Sequence, residues 1–292
     1  MIIIVEMDRF KAKATMINAK VLREEKVLVL SDLHIPFHRE QMILDIILKH
    51  RNDITTIIFG GDILDCYSVS SFPKEVRRPL VDEMIEAYKF FARVDRLTPD
   101  VKKIFIWGNH EYRFVKYLAD NPNELNALHG TNILQNVVGG FAHHDRISLR
   151  KTTYPPLSSN FEVVDKWFVQ YNDLIVAHPK NYSKIQLRSA VSAVEHFLKT
   201  GMNFITFYQG HTHKWGETTH YGVRLGELGC LCKTMEYADT GNTGYSPQEY
   251  GYALVAFKDG VTIQDDTRLY RIMLEEEEGD VIWQESEPDL KI

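Results

Sequence analysis

Short apolar runs alternate with amphipathic stretches along most of the chain. Five runs have the length and composition of buried strands, and they cover 26–30, 55–59, 101–107, 173–177 and 204–209. Three segments between them carry apolar residues at helical spacing, over 41–50, 80–97 and 183–199. Strands that alternate with helices in this way predict an α/β protein built on a layered sheet.

Other segments make the predicted sheet mixed. We expect a hairpin before about residue 25, helical segments from 109 to about 128, antiparallel strands at 161–164 and 167–170, and short strands after 223. The acidic run at 275–278 is expected to be solvated. We therefore predict one domain over 1–292, a mixed β-sheet sandwich flanked by helices. Its candidate functional segments lie in 26–220, and C-terminal strands and an acidic tail occupy 221–292.

Composition argues against several classes of protein. The 292 residues are 44% hydrophobic and 25% charged, which is typical of a folded globular chain. The net charge of −6 gives no general attraction to nucleic acid or anionic lipid, although a local basic cleft is compatible with it. No apolar run is long enough to span a bilayer, and the apolar start at 1–5 lacks the basic flank of a signal peptide. We expect a cytoplasmic protein whose cysteines, Cys66, Cys230 and Cys232, are reduced thiols.

Polar residues follow the ends of all five predicted buried strands. Together these ends supply carboxylate, amide and imidazole side chains, from Asp32, His34, Asp62, Asp65, Asn109, His110, His178, His211 and His213. Because ligands gather at the carboxyl ends of strands in open α/β sheets, we expect these side chains to converge. Imidazole with carboxylate suits Mn, Fe, Zn or Ni better than Ca or Mg. The set is too large for one ion, so it predicts two divalent metals, with Mn favoured.

The order of these blocks resembles the calcineurin-like metallophosphoesterases. The family pattern is D-x-H, then G-D-x-x-D, then G-N-H-E/D, a single histidine and G-H-x-H, and the chain carries all five from 32 to 213. A looser similarity, around 31–38, 65–74 and 227–232, is to phosphoesterases of phage and prophage genomes. The resemblance implies a four-layer αββα fold and hydrolysis of a phosphoester by a hydroxide that bridges two metals.

The resemblance also implies a role for each residue. It assigns Asp32, His34 and His213 to one metal, Asn109, His178 and His211 to the other, and Asp62 to both. His110 corresponds to the family histidine that lies off the metals and faces the leaving group, and Asp65 to the carboxylate that orients it. Such a histidine can donate the proton that the leaving oxygen needs.

Two departures from the family bear on the substrate. The protein phosphatases of the superfamily carry phosphate-binding arginines where this chain has Cys66 and Trp107. A dianionic monoester needs more positive charge than a monoanionic diester, so their loss favours a phosphodiester, either a nucleic acid or a nucleotide. Replacement cations are available, and the candidates are Arg77, Arg78, Arg113 and Lys180.

Several alternatives stay open at this point. The enzyme alternative is a phosphomonoesterase or protein phosphatase, and the other is a catalytically silent interaction module on the same fold. The pair at 143–144 competes with His178 as a ligand, and Trp215 or Tyr221 could stack on a base. Glu111 is expected to make a hydrogen bond close to the metals rather than a metal bond. The sequence leaves the natural substrate and the oligomeric state undetermined.

Overall fold

The computed structural model describes residues 3–8, 11–16, 24–71, 78–121, 132–145, 148–234, 248–277 and 280–286. The α-helices in these ranges are α1 (Glu40–His50), α2 (Leu80–Leu97), α3 (Asn109–Asp120), α4 (Ile133–Val138) and α5 (Arg188–Lys199). The strands are β1 (Ile3–Asp8), β2 (Lys11–Met16), β3 (Glu24–Leu30), β4 (Thr56–Phe59), β5 (Lys102–Phe105), β6 (Phe141–His144), β7 (Lys151–Tyr154), β8 (Phe161–Val163), β9 (Phe168–Tyr171), β10 (Leu174–Ala177), β11 (Thr206–Gln209), β12 (Trp215–His220), β13 (Val223–Leu228), β14 (Tyr250–Lys258), β15 (Val261–Thr262), β16 (Arg268–Glu277) and β17 (Asp280–Ser286).

Two large sheets organise these strands. The first has the order β17-β16-β14-β3-β4-β5-β8, with β15 paired to β14, and its β3, β4, β5 and β8 run parallel. The second has the order β12-β13-β11-β10-β9, in which β10, β11 and β13 are parallel and the two edge strands are antiparallel. Because β14 pairs with β3, the C-terminal strands extend the same sheet that carries the first predicted site residues.

Strand alternation assigns the two faces of each sheet. In β3, Leu28 and Leu30 belong to the core that the first sheet forms with α1 and α2, whereas Val27 and Val29 face the second sheet. On the other side of the second sheet, α5 packs through Phe197. The layers are therefore helices, sheet, sheet and helix, which confirms the predicted mixed sandwich flanked by helices.

The expectation of antiparallel pairing is correct for β9 and wrong for β8. β9 pairs antiparallel with β10 in the second sheet, but β8 pairs parallel with β5 at the edge of the first. The parallel pairing continues past β8, since the N–H of Val164 donates to the carbonyl of Phe105 (2.9 Å) and that of Trp107 to the carbonyl of Lys166 (2.9 Å). The chain crosses from one sheet to the other just after this point.

Helix α5 begins five residues later than its apolar spacing predicts. Leu187, immediately before the helix, has a left-handed backbone (φ 63°). Its N–H donates to Oε2 of Glu227 on β13 (2.9 Å), so a carboxylate from the second sheet holds this residue outside the helix. A contact with a residue 40 positions away has overridden the local helical pattern.

The other expectations agree with the structure in part. β1 and β2 form the expected N-terminal hairpin. α3 ends at Asp120, and 122–131 lie outside the described residues. The acidic run is not a free tail, because 275–277 close β16 and pair with β17, while Glu278 lies outside the described residues. In the described part of the chain, every helix is too short or too polar to cross a lipid bilayer.

A buried lysine connects the first sheet to the end of α2. The ammonium of Lys103 on β5 is fully buried and donates to Oδ1 of Asp95 (3.0 Å) and to the carbonyl of Thr98. Ser158 donates to the same Asp95 oxygen (2.8 Å). Burial lowers the pKa of Lys103, and Asp95 opposes that shift by stabilising the charge.

Removing the partner of this lysine should therefore destabilise the fold. We expect Asp95→Ala to lower the free energy of unfolding by about 3–5 kcal/mol, because it leaves a buried ammonium uncompensated. The double variant Asp95→Ala/Lys103→Met should recover much of the loss. Urea unfolding measures both, with the exposed Asp53→Ala as a control expected to change stability by less than about 0.5 kcal/mol. A loss for Asp95→Ala no larger than that of the control would contradict the prediction.

Candidate metal centre

Parallel strands of both sheets deliver the predicted site residues to one edge of the sandwich. The loops that carry them follow the carboxyl ends of β3, β4 and β5 in the first sheet and β10 and β11 in the second. Backbone hydrogen bonds join neighbouring loops, as the N–H of His34 donates to the carbonyl of Asp62 (2.9 Å) and that of Gly210 to Ala177 (3.1 Å). The loops that follow these strands therefore lie side by side, as we expected from ligands that gather at the carboxyl ends of strands.

The backbone is left-handed at several of these residues. Positive φ angles occur at Asp32 (54°), His34 (50°), Asp62 (48°), His211 (81°) and His213 (54°). Side chains with a Cβ rarely adopt this conformation, which costs about 1–3 kcal/mol for each residue held in a sparsely populated region. The surrounding hydrogen bonds must therefore hold these residues in place, and the result is that their side chains point into a shared space.

Two glycines of the motifs leave room for the carboxylates. A Cβ at Gly108 would lie 2.0 Å from Oδ1 of Asp62, and a Cβ at Gly210 would lie 2.3 Å from Oδ2 of Asp32. Both glycines are needed for close approach of the backbone to a side chain, since any other residue would displace a carboxylate.

One group of donor atoms surrounds His34. Its Nε2 lies 3.1 Å from Nε2 of His213, 3.9 Å from Oδ1 of Asp32 and 3.8 Å from Oδ2 of Asp62. Nε2 of His213 is 3.3 Å from the same Asp32 oxygen. Donors that share an ion through bonds of about 2.0–2.2 Å are separated by about 3–3.5 Å, so this spacing is close to that of a metal site.

A second group meets the first at Asp62. Oδ2 of Asp62 lies 3.2 Å from Nε2 of His178, and a ring nitrogen of His211 completes a set whose atoms lie within 4.8 Å of one another. Asn109 is the first residue of α3, and the N–H of the next residue, His110, donates to Oδ1 of Asp62 (2.9 Å). Because the same Asp62 oxygen faces both groups, it is placed where a carboxylate shared by two ions would be.

Unpartnered buried atoms support the presence of a cation at the second group. Nδ1 of His178 donates to the carbonyl of Gly60 (2.8 Å), so Nε2, which lies 3.2 Å from Oδ2 of Asp62 without a hydrogen bond of good geometry, is the nitrogen whose lone pair a metal would bind. Oδ1 of Asn109 is likewise buried and without a partner among the described residues. Buried polar atoms are nearly always satisfied, and a divalent ion is the partner that a lone pair, an amide oxygen and a carboxylate can share.

Charge in the site is balanced between carboxylates and imidazoles. Burial alone would raise the pKa of Asp62, but the nearby His110 and His178 hold it well below its usual range. Burial alone would lower the pKa of His178, but the carboxylates of Asp62 and Asp32 raise it to about 9. The pKa of His34 is raised to about 9 by carboxylates in the same way. Metal ions must displace these protons, so binding should release protons to solution.

His110 lies beside the two groups, with its Nε2 3.7 Å from Oδ2 of Asp62. Its Nδ1 lies 2.9 Å from the backbone carbonyl oxygen of Asp65 and 2.8 Å from Oδ1 of the same residue. Both oxygens can only accept a hydrogen bond, so Nδ1 carries the proton. Its Nε2 accepts from the guanidinium of Arg113 (2.7 Å). Oδ1 of Asp65 also accepts from Nδ1 of His34 (3.0 Å), so one carboxylate orients two histidines.

Glu111 holds the backbone around Asp62. Its Oε1 accepts from the N–H groups of Ile63 (2.8 Å) and Leu64 (2.9 Å), and its Oε2 from those of Gly108 (2.8 Å) and Asp62 (3.1 Å). With both oxygens occupied by backbone donors, Glu111 is a support for the site, as the sequence suggested, and its carboxylate is directed at the protein chain.

The candidate replacement cations have separate locations. Arg113 is engaged by His110 and by the carbonyl of Asp65 (3.0 Å). Arg78 pairs with Glu86 (3.4 Å), and Arg77 lies outside the described residues. Lys180 is exposed, with its Nζ 4.0 Å from the centre of the Tyr112 ring.

A cleft that the sequence did not reveal opens beside Asn109 and His178. It encloses about 560 Å³, and its aromatic lining comes from Trp107, Tyr112 and Trp167. The suggested stacking residues lie elsewhere. Trp215 donates from Nε1 to the carbonyl of Tyr270 (3.0 Å) and packs between the sheets, and Tyr221 is an exposed turn residue. Trp167 opens a predicted strand that carries none of the motifs, so only the folded arrangement places it in the cleft.

The competing histidines are separate from the donor groups. His143 and His144 lie on β6, which pairs with β7 in a two-stranded ribbon. Among the described residues, neither belongs to a cluster able to hold a metal, whereas His178 does. His178 is therefore the histidine that the fold brings to Asp62.

Glu111→Gln tests the support of the Asp62 loop. The amide nitrogen of glutamine would face two backbone N–H groups, so we expect a loss of about 1–3 kcal/mol in unfolding free energy. We also expect weaker retention of Mn²⁺ as the Asp62 backbone moves. Urea unfolding and metal analysis measure the two effects, with Glu162→Gln, an exposed residue paired with Lys102, as the matched control. Equal stability of the two variants would show that the four hydrogen bonds are unimportant.

Comparison with known proteins places this geometry in a family. No curated protein matches the chain. Solved structures that match include a novel archaeal phosphodiesterase (13% identity, 84% of this chain and 99% of the other, TM-score 0.40), vacuolar protein sorting 29 from Cryptosporidium parvum (13%, 91% and 99%, 0.42) and a metallophosphoesterase from Sphaerobacter thermophilus (14%, 85% and 87%, 0.39). The family model for calcineurin-like phosphoesterases matches residues 25–215, more than half of the chain. The chain belongs to the calcineurin-like phosphoesterase family.

Proposed function

We propose that the protein is a metal-dependent phosphoesterase with a dinuclear centre, and that its preferred substrate is a phosphodiester. The observation that carries the proposal is the position of Asp62 Oδ2, 3.8 Å from Nε2 of His34 and 3.2 Å from Nε2 of His178. Two donor groups, each with further ligands of its own, meet at this one oxygen. The first comprises Asp32, His34 and His213, and the second comprises Asn109, His178 and His211.

The residues of the chain divide the chemical tasks. When bound, two divalent cations would activate water for attack and neutralise charge on the phosphoryl oxygens. His110 would assist departure of the leaving oxygen, because Asp65 holds its Nδ1 and Nε2 is therefore the nitrogen that would carry a transferable proton. Arg113 now donates to that nitrogen, so the substrate must replace or reorient this contact before His110 can act.

The preference for a diester follows from the cations near the site. Arg113 is the one described arginine of the candidate set that contacts His110 and Asp65, and Lys166 and Lys180 add two ammonium groups to the lining of the cleft. A pair of guanidinium groups could clamp the extra charge of a monoester dianion in bidentate fashion, whereas one guanidinium and the point charges of lysines provide less bidentate binding.

The cleft supplies a place for the organic part of such a substrate. Its volume of about 560 Å³ falls within the range of small-molecule sites, and it begins at the second donor group. Trp167 and Tyr112 present partly exposed rings, and Lys180 adds a positive charge near them. Flat aromatic groups stack on such rings, so a nucleotide ester fits the cleft better than an aliphatic one.

Substrate comparison tests the preference. With Mn²⁺ added, we expect faster hydrolysis of bis-p-nitrophenyl phosphate than of p-nitrophenyl phosphate, because the diester carries one charge less and places a second group in the cleft. Release of p-nitrophenolate under matched conditions measures both rates. Much faster turnover of the monoester would favour the phosphomonoesterase alternative. Fewer than one tightly held transition metal per chain, with no hydrolysis of either ester, would favour the interaction module.

His110→Ala tests the proton-donor role. We expect metal content to be unchanged, and hydrolysis of diesters with alkyl leaving groups to fall by about 10²–10⁴-fold. Hydrolysis of the p-nitrophenyl diester should fall much less, because p-nitrophenolate departs without a proton. Steady-state kinetics across leaving groups measures the contrast, with His220→Ala, which pairs with Glu195 outside the site, as the control. Equal losses for good and poor leaving groups would rule out proton donation by His110.

A further inference from the structure

An extended segment carrying two cysteines lies against the first donor group. The N–H of Leu231 donates to the carbonyl of Asp32 (3.0 Å), and the carbonyl of Leu231 accepts from Arg39 (2.9 Å). The N–H of Cys230 donates to the carbonyl of Glu249 (2.8 Å). These backbone bonds fix the segment beside the loop that presents Asp32 and His34.

The extended backbone directs the two cysteines to one side. Residues two apart in an extended chain face the same way, so Cys230 and Cys232 share a direction that Leu231 does not. Both thiols are fully buried. The Sγ of Cys232, a ring nitrogen of His34 and a ring nitrogen of His213 all lie within 4.8 Å of one another.

The surroundings of Cys232 differ from those of a cysteine packed in an apolar core. Its thiol faces Oε1 of Gln248 at 3.9 Å, and the Sγ of Cys230 lies 3.7 Å from the same oxygen. The Gln248 amide also contacts Nδ1 of His213 (2.9 Å). A buried thiol is normally a small apolar group, but here its neighbours are two imidazoles already placed as metal ligands.

We propose that Cys232 is a thiolate ligand of the cation held by Asp32, His34 and His213, and that it makes this position selective for Zn²⁺ over Mn²⁺. The proposal rests on the metal centre proposed above and adds a ligand that the five motif blocks do not contain. Binding would transfer the thiol proton to solvent, since the ligand is the thiolate. Thiolate sulfur favours Zn²⁺, whereas carboxylate and water ligands suit Mn²⁺.

Gln248 is placed to adjust to such a ligand. If Nε2 of His213 binds the cation, Nδ1 must carry the proton and needs an acceptor. The Gln248 amide can supply one by presenting its oxygen, and its NH₂ would then face the sulfur atoms of Cys230 and Cys232. N–H donors toward a thiolate are favourable, so the same side chain would orient the histidine and stabilise the sulfur charge.

Cobalt substitution gives a readout that is independent of hydrolysis. The metal-free protein loaded with Co²⁺ should show d–d absorption and, in addition, a thiolate-to-cobalt charge-transfer band in the near ultraviolet. Cys232→Ser should abolish the charge-transfer band and retain d–d absorption. Cys230→Ser, which changes the neighbouring thiol, and Cys66→Ser, which changes a buried cysteine outside the donor group, should both retain the band.

Metal competition tests selectivity on the same variants. Cys232→Ser should weaken Zn²⁺ binding by about tenfold or more, since even outer partners of metal ligands change affinity by about 10- to 100-fold. Mn²⁺ binding should change by less than about threefold, because Mn²⁺ gains little from sulfur. Competition against a chromophoric chelator measures both constants.

Each outcome bears on the proposal. A wild-type cobalt protein without the charge-transfer band, loss of the band in Cys230→Ser alone, or equal weakening of Zn²⁺ and Mn²⁺ would overturn it. A protein without any cobalt d–d absorption would remove the metal centre as well as this ligand. Retention of the band in a protein that hydrolyses no phosphoester would support the ligand and refute the proposed activity.

Discussion

The structure of the site depends on keeping the carboxylate of Asp62 ionised in the protein interior. Asp62 is 2% exposed, and an unpaired buried carboxylate costs several kcal/mol. His34, from the first sheet, and His178, from the second, offset that cost by facing the same oxygen. Positive charge is therefore needed on both sides of Asp62, whether it comes from protons or from metal ions. This requirement links the chemistry of the site to the way the two sheets pack.

The backbone must be held against its own preferences to satisfy this constraint. Left-handed residues such as Asp32 and His213 aim donors inward at a conformational cost. Glu111 offsets this conformational cost at the Asp62 loop, because it accepts hydrogen bonds from four backbone N–H groups. Gly108 lets the chain approach Asp62 closely. The proposed ligand set is therefore supported by residues outside it, and these hold its side chains together.

Sequence reasoning succeeded where the signal is local. The apolar spacing of α2 predicted its bounds at Leu80–Leu97, and polar residues after buried strands predicted the set that gathers at the sheet edge. It failed where distant contacts decide, because β8 joins β5 at a sheet edge and Glu227 holds Leu187 out of α5. The aromatic lining of the cleft arises in the same way, since packing brings Trp167 together with Tyr112 of α3, a segment that no pattern relates to it.

The two donor groups differ in their access to solvent, and this asymmetry bears on their roles. His34 and His213 are 1% and 4% exposed, and buried thiols lie beside them, so the first group is closed. The second group opens through Asn109 and His178 into the cleft. In the proposed reaction, an entering ester would therefore meet the second group first, with its organic part against the aromatic lining. A closed site favours tight retention of an ion, whereas an open one leaves coordination positions for substrate and water. In the proposed function, the fold would thus separate ion retention from substrate contact across the single carboxylate of Asp62.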